Sequence, residues 1–433
     1  MGFVPQKECR MSAIPPYLLP DTASVGPDGH LLIGGCDTVA LAAEFGTPVF
    51  VYDEEHLRAR CREAVAAFGS YATYATKAFL CTAMARLAYE EGMALDVATG
   101  GELHICLSAG VPADRLVLHG NNKSTAELRQ ALTAGVGRIV VDSFEEIDRI
   151  EGLVAEGLNP PSILLRVTPG VEAHTHEYIA TGQDDSKFGF TVSTGLAHEA
   201  VERAEQSDAM NLIGIHAHIG SQVFRAESFA QAVKVLGEFT SPLGLRELVV
   251  GGGLGVAYIE GEHAPTITEW ASVLHNAVDE AGIAASVGIE PGRSIAGAAA
   301  VTVYTVGTIK HLDGIRTYVA VDGGMSDNPR PVLYGSGYEA FLPERTSAER
   351  DLEARIVGKH CESGDLLVRE ARLPSDLAVG DLLATPVTGA YGHSMGSNYN
   401  KVLRPPIVFC NDGDARLVVR RETYDDLLGT DLG

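Results

Sequence analysis

Few side chains in this sequence combine reactive chemistry with so apolar a setting as Lys77 in YATYATKAFL. The first half of the stretch alternates like a strand, and the CTAMARLAYEEG that follows has the apolar spacing of an amphipathic helix. A lysine at such a junction either snorkels to water or is an amine in a pocket, its pKa lowered by desolvation until it can form a Schiff base. Three further stretches favour the second reading. GGGLG (251–255) and EPGRS (290–294) each follow a short apolar run; their glycines let backbone N–H groups approach a phosphate, and Arg293 adds charge nearby. Glu290, directly after the apolar run ASVGI, is a carboxylate expected to face the mouth of a barrel, and it needs a partner there. A pyridinium nitrogen is such a partner, because a neighbouring anion keeps it protonated and makes the ring an electron sink. HAHIGSQ then offers His218 to lie on the ring and Ser221 to bind the phosphate. The chemistry these residues share is a site for pyridoxal 5'-phosphate, with Lys77 as its Schiff-base lysine.

The elements that must carry these residues are legible as eight short apolar runs between Tyr71 and Gly292: YATYAT, MALDVA, RLVLHG, RIVVDS, SILLRVT, LIGIHAH, ELVVGGG and ASVGIEPG. Helix-like segments such as TAELRQALTAG, FEEIDRIEGLVAEG and FAQAVKVLGEF separate them. Eight strand–helix units predict an α/β fold, a (β/α)8 TIM-type barrel, whose functional groups gather at the C-terminal strand ends and whose phosphate site lies after the last two strands. Lys77, ending the first strand, is then a neighbour of the eighth. Beyond Ile309 the runs TYVAVDG, LEARIVG, DLLVREARLP, GDLLATP, RPPIVFC and ARLVVRR predict an all-β C-terminal domain of sandwich or barrel type. The expected division is an N-terminal segment (1–44) that partly joins the β domain, the cofactor-binding barrel (45–310), and the β domain (311–433). HLLIG and PVFVYD, with no long helix between them, are expected to join or border the β domain, and FLPERTSAE (341–349) to be an exposed loop.

A net charge of −24 argues against nucleic acid or an anionic membrane as a partner, so any anionic ligand must be held by local groups. The stretch SIAGAAAVTVYTVGTI (294–309) is too short to span a bilayer and reads as a buried strand with its lead-in. The N-terminal residues lack the continuous apolar core of a signal peptide. Seven cysteines, an odd number without a CxxC, point to reduced thiols in a cytoplasm and to no metal site.

YATKAFL, HGNNKS, RVTPGVEAHTHEYIATG, SKFGF, HAHIGSQ, GGGLG, EPGRS, MSDNPRPVLYG, CESGD and TGAYGHSMGSNYN occur in an order that resembles the diaminopimelate decarboxylase family, within the alanine-racemase-like, fold-type III group of pyridoxal-phosphate enzymes. The resemblance spans roughly residues 45–425. It implies a homodimer with active sites shared between subunits, and decarboxylation of meso-2,6-diaminopimelate to L-lysine and CO2, the last step of lysine biosynthesis. It assigns Lys77, His218, Ser221, Gly253, Glu290, Arg293 and Tyr391 to the cofactor. Arg293, Arg330, Tyr334, Glu362 and Tyr391 are assigned to the substrate, and Cys361 is the implied proton donor, supplied with Glu362 by the other subunit. The types suit a substrate whose far end keeps a carboxylate for arginines and an ammonium for a glutamate. Two departures from the family pattern flank these residues, Phe79 in YATKAFL and Lys359-His360 before CESGD. The readings that compete are a decarboxylase of another carboxylated diamine, such as carboxynorspermidine, and a non-catalytic regulatory homologue.

Overall fold

The structure, a computed structural model, describes residues 14–170 and 184–433. The start of the N-terminal segment and the VEAHTHEYIATG part of the resemblance lie outside the described residues. The chain divides into two compact units, one built from 58–256 and 263–295, the other from the chain up to Leu57 together with 257–262 and 296–433.

The first unit is the barrel. Its strands are β1 (Thr73–Ala75), β2 (Ala94–Val97), β3 (Leu116–Leu118), β4 (Arg138–Val141), β5 (Ser162–Thr168), β6 (Asn211–His216), β7 (Glu247–Val249) and β8 (Ser286–Gly288). These are the eight runs expected from sequence, each paired in parallel with the next. Closure comes from a parallel bridge between Ala72 and Ile289, reinforced where Thr73 N–H donates to Ile289 at 2.9 Å and Ala75 N–H to Pro291 at 3.1 Å. Strand one and strand eight are therefore neighbours, as Lys77 and Glu290 require. The outer helices begin where the sequence supplies caps. Ser124 and Glu127 form a capping box on Thr125–Ala134, and Thr266 and Glu269 form another on Ile267–Glu280.

Along the barrel axis the side chains change character. At the N-terminal ends, Arg138 of β4 makes a bidentate pair with Glu247 of β7 at 2.7 and 2.8 Å. Val117, Val140, Leu164, Ile213 and Val249 form an apolar cluster drawn from five consecutive strands. Lys77, His119, His216, His218, Glu290 and Arg293 lie at the opposite, C-terminal ends.

The second unit holds a mixed sheet. The long strand Ala300–Leu312 pairs with Val49–Asp53 and Leu382–Pro386 through its first half and with Arg316–Val321 through its second. Val49–Asp53 in turn lies parallel to Ile407–Asn411. PVFVYD thus joins the β sheet, as the lack of a long preceding helix suggested. The unit boundaries, at 57/58 and 295/296 rather than 44/45 and 310/311, follow from this pairing, because a barrel already closed by eight strands has no edge for Val49–Asp53 or Ala300–Leu312. FLPERTSAE is a loop, but its first half is buried. Phe341 and Leu342 point into the sheet unit, and the Pro343 carbonyl accepts from Leu31 N–H at 2.7 Å. No helix among the described residues is long and apolar enough to cross a membrane.

Trp270, the one tryptophan of the sequence, is fully buried against Phe229 and Phe68, with ring centroids 5.1 and 6.4 Å away. Phe229→Ala leaves a cavity between two barrel helices and is expected to cost about 3–5 kcal/mol. Urea unfolding followed by Trp270 fluorescence measures this, and a loss under about 1 kcal/mol would show that the helices collapse to fill the space.

Candidate active site

The C-terminal strand ends bring together most of the residues that the sequence singled out in the barrel. Lys77 stands in a single 3-10 turn, Thr76–Ala78, immediately after β1. Thr76 and Ala78 are buried, and the Thr76 hydroxyl is anchored to the Asp96 carbonyl at 2.7 Å, while Lys77 itself is exposed. The expected enclosure of the amine is thus not provided by its own turn, which fixes the backbone and leaves the side chain free to reach.

Glu290 follows β8 and is 6% exposed. Its two oxygens are held separately: Nε2 of His119, after β3, lies 3.1 Å from Oε1, and Nε2 of His216, ending β6, lies 2.9 Å from Oε2. Burial opposes the charge, but the two imidazoles outweigh it and hold the carboxyl well below its ordinary range. His216 is fully buried and, chiefly by burial, pushed down to about 4, so it donates to Glu290 as a neutral ring. Asp96, at the end of β2, is pushed up to about 7, first by burial and further by Glu290, although His119 works against the shift. Two nearby carboxylates thus receive opposite treatment, and Glu290 keeps the charge. The sequence pointed to Glu290 but not to its clamp; the signal was the first histidine of HAHIGSQ and the histidine of HGNNKS. His119, His216 and Glu290 also lie close enough to ligate a cation, but their facing atoms are engaged with one another.

The glycines of GGGLG are dictated by crowding. A Cβ on Gly252 would sit 2.0 Å from the Glu290 carbonyl, and one on Gly253 2.1 Å from the Gly220 carbonyl. Gly251 and Gly253 also have φ of 75° and 107°, which only glycine adopts freely. Three strand ends converge there. The Gly252 N–H donates to Nδ1 of His218 at 3.2 Å, which requires a lone pair on that nitrogen. His218 is accordingly held well below its ordinary pKa, by burial first and then by the charge of Lys77. Arg293 donates from Nη2 to the Ser221 hydroxyl at 2.9 Å, tying the end of β8 to the turn after β6. A neutral imidazole, an ionised buried carboxylate, a reachable amine and a glycine turn flanked by Ser221 and Arg293 fit pyridoxal phosphate.

The remaining residues lie in the second unit. Arg330 opens the short helix Arg330–Tyr334 and is 5% exposed. Its guanidinium faces the rings of Tyr258, Tyr334 and Tyr391, with Cζ 4.9, 5.7 and 5.8 Å from their centroids. Nε donates to the Tyr338 hydroxyl at 3.1 Å and Nη2 to Ser336 at 3.0 Å. Among the described residues Arg330 has no carboxylate partner. Tyr391 has φ of 64°, a left-handed conformation costing about 1–3 kcal/mol at a bulky residue. Cys361 and Glu362 are exposed in a turn whose other end, Asp365, is buried. The Asp365 carboxylate accepts from Met325 N–H at 2.7 Å and His360 N–H at 2.8 Å, fastening the CESGD turn to the loop that leads into Arg330. Sequence reading did not single out Tyr258, Tyr338, Ser336 or Asp365.

A histidine whose folded pKa lies below its unfolded value binds fewer protons folded than unfolded across that window, so stability rises with pH there. For His216 the window runs from about 4 to 6.5. Its slope is up to about 1.4 kcal/mol per pH unit. His216→Asn is expected to flatten the acid-side loss of stability by up to one proton. Urea titrations at several pH values within the window check this, and parallel wild-type and variant slopes would contradict it.

Three comparisons bear on this arrangement. Residues 54–297 match the family model for the pyridoxal-dependent decarboxylase, pyridoxal binding domain. The chain is 46% identical over 440 residues to the diaminopimelate decarboxylase of Mycobacterium tuberculosis, covering 96% of this chain and 98% of that protein. It is also 46% identical over 427 residues to that of Bacillus subtilis, covering 95% and 97%. Among solved structures, diaminopimelate decarboxylase from M. jannaschii superposes with a TM-score of 0.89 at 31% identity, covering 96% of this chain and 98% of that one. The enzyme from Helicobacter pylori, complexed with L-lysine, superposes with a TM-score of 0.83 at 31% identity, covering 91% and 98%. With relatives this close along nearly its whole length, the chain belongs to the diaminopimelate decarboxylase family of pyridoxal-dependent decarboxylases.

Proposed function

We infer that this chain catalyses decarboxylation of meso-2,6-diaminopimelate to L-lysine and CO2, the last step of lysine biosynthesis. Arg330 is the observation that carries the substrate. A guanidinium 5% exposed, with no carboxylate partner among the described residues, lacks the counter-charge that burial demands. A substrate whose far end bears a carboxylate supplies it. A simple diamine would bring a second cation instead.

When bound, pyridoxal phosphate supplies an electron sink for the pair left on carbon as CO2 departs. The chain's own residues are assigned as follows. Lys77 would supply the amine that attaches the cofactor covalently. Glu290, kept ionised by His119 and His216, would hold the proton on the pyridine nitrogen. His218, a neutral imidazole, would pack on the ring, and Ser221, Gly253 and Arg293 would hold the phosphate. Arg330, Tyr334 and Arg293 take the distal carboxylate, Glu362 the distal ammonium, and Tyr391 touches both cofactor and substrate. Cys361 delivers the proton that replaces CO2. Support for Cys361 and Glu362 comes from their exposed turn and from the family resemblance, which also underlies a homodimer with shared sites. We place the enzyme in the cytoplasm, where its cysteines, the exposed Cys361 included, stay reduced.

The direct experiment is CO2 release and L-lysine formation from meso-diaminopimelate, with ornithine and lysine as comparison substrates. No release from diaminopimelate would overturn the assignment. Arg330→Ala is expected to lower kcat/KM for diaminopimelate by about ten- to a hundredfold, since a charge-assisted contact is worth about 1.5–3 kcal/mol. Its cofactor affinity should stay near wild type, and equal losses in both would contradict the distal placement.

Lys77→Ala and Cys361→Ala homodimers should each be nearly inactive. If sites are shared, a mixed dimer has one site with both lesions and one with neither, so random subunit exchange should restore about a quarter of wild-type activity. No recovery despite exchange verified with mass-tagged subunits would show that both residues act within one chain.

A further inference from the structure

Residues 257–262 are a short excursion. The chain on either side belongs to the barrel unit, yet these six residues pack with the β unit. They begin two residues after GGGLG. The excursion is fastened along its length: Tyr258 N–H donates to Glu262 at 2.7 Å, Glu260 N–H to Glu339 at 3.1 Å and Gly261 N–H to the Tyr17 hydroxyl at 2.9 Å. Ile259 lies so close to Gly337 that a Cβ there would meet it at 2.8 Å. What this effort places is one side chain. Tyr258 is 3% exposed, its ring meets Tyr338 edge-on at 5.1 Å, and the same ring is the nearest of three to the Arg330 guanidinium, at 4.9 Å.

We propose that Tyr258 is a positioning residue for the distal end of the substrate, acting through Arg330; this rests on the reading of Arg330 as the holder of the distal carboxylate. A planar guanidinium has five N–H donors in a fixed fork, and its rotation decides which of them meet a carboxylate. Tyr338 and Ser336 engage Nε and one hydrogen of Nη2, which leaves Nη1 and the rest of Nη2 for a ligand. Two hydrogen bonds alone let the plane tilt. The Tyr258 face closes one side of that plane by a cation–π contact and orients the remaining edge before substrate arrives, so the ordering cost is met in the folded protein and not on binding. The face of the ring, not the hydroxyl, is the active part.

The test compares holoenzymes carrying Tyr258→Phe, Tyr258→Leu, Arg330→Ala and the double change Tyr258→Leu/Arg330→Ala. The leucine variant should raise KM for meso-diaminopimelate by about fivefold or more with kcat changed less than about twofold, and the phenylalanine variant should stay within about twofold of wild type. Inhibition by L-lysine, which keeps the distal carboxylate, should weaken in parallel, whereas inhibition by cadaverine, which has none, should not. On the Arg330→Ala background the leucine change should add less than about twofold, because its route of action is gone. Multiplicative effects, an equal loss for cadaverine, or a phenylalanine variant as poor as leucine would overturn the proposal. So would an Arg330→Ala enzyme of unchanged KM, and that single variant identifies the failure as one of the Arg330 reading. If Tyr258→Leu does not fold, Tyr258→Met, of similar bulk and without a π face, carries the same comparisons.

Discussion

A single anion that must remain charged inside protein organises the mouth of the barrel. Glu290 is buried at the end of β8, and water is not available to solvate it. Two imidazoles from β3 and β6 take water's place, one per oxygen. Burial pushes the neighbouring Asp96 up to about 7 against the opposing pull of His119. Crowding follows as well. Gly252 packs on the Glu290 carbonyl so closely that no side chain fits, which fixes the glycine turn beside the carboxylate it serves. The polar inventory of the mouth is the set of groups needed to keep one charge in one place.

The β unit poses the opposite problem. Arg330 is as deeply buried as Glu290 but is met by phenol rings and hydroxyls, not by a carboxylate. Aromatic faces soften the burial of a cation without neutralising it. The barrel's anion is thus satisfied from within the fold, while the cation of the β unit is held with capacity to spare. That difference separates an anion countered by imidazoles from a cation met by rings and hydroxyls.

Sequence periodicity disclosed the barrel because each strand is short, apolar and bounded by turns, and strand-end motifs disclosed Lys77, His218, Ser221, Glu290 and Arg293 because a barrel sends its strand ends to one rim. What stayed hidden depended on distant pairing. Val49–Asp53 hydrogen-bonds with residues near 300 and near 408, and nothing local in PVFVYD states which sheet it enters beyond the missing helix. His119 and His216 become a clamp only when strands three, six and eight curve around a common axis. Tyr258 sits in a loop with no periodicity, and the guanidinium it faces lies 72 positions later. The buried start of FLPERTSAE was masked by the charged residues that follow it.

The path of the chain between the units has a consequence for how such a protein can be cut or recombined. The β unit is assembled from three separated stretches, so the chain passes from one unit to the other at four joints. No single truncation yields either unit whole. A fragment ending at Ile295 keeps every barrel strand but also carries the N-terminal stretch and the excursion without the sheet they pack into. Chimeras between relatives therefore need four coordinated crossovers, and one that leaves the excursion with the barrel parts Tyr258 from the unit that holds its arginine.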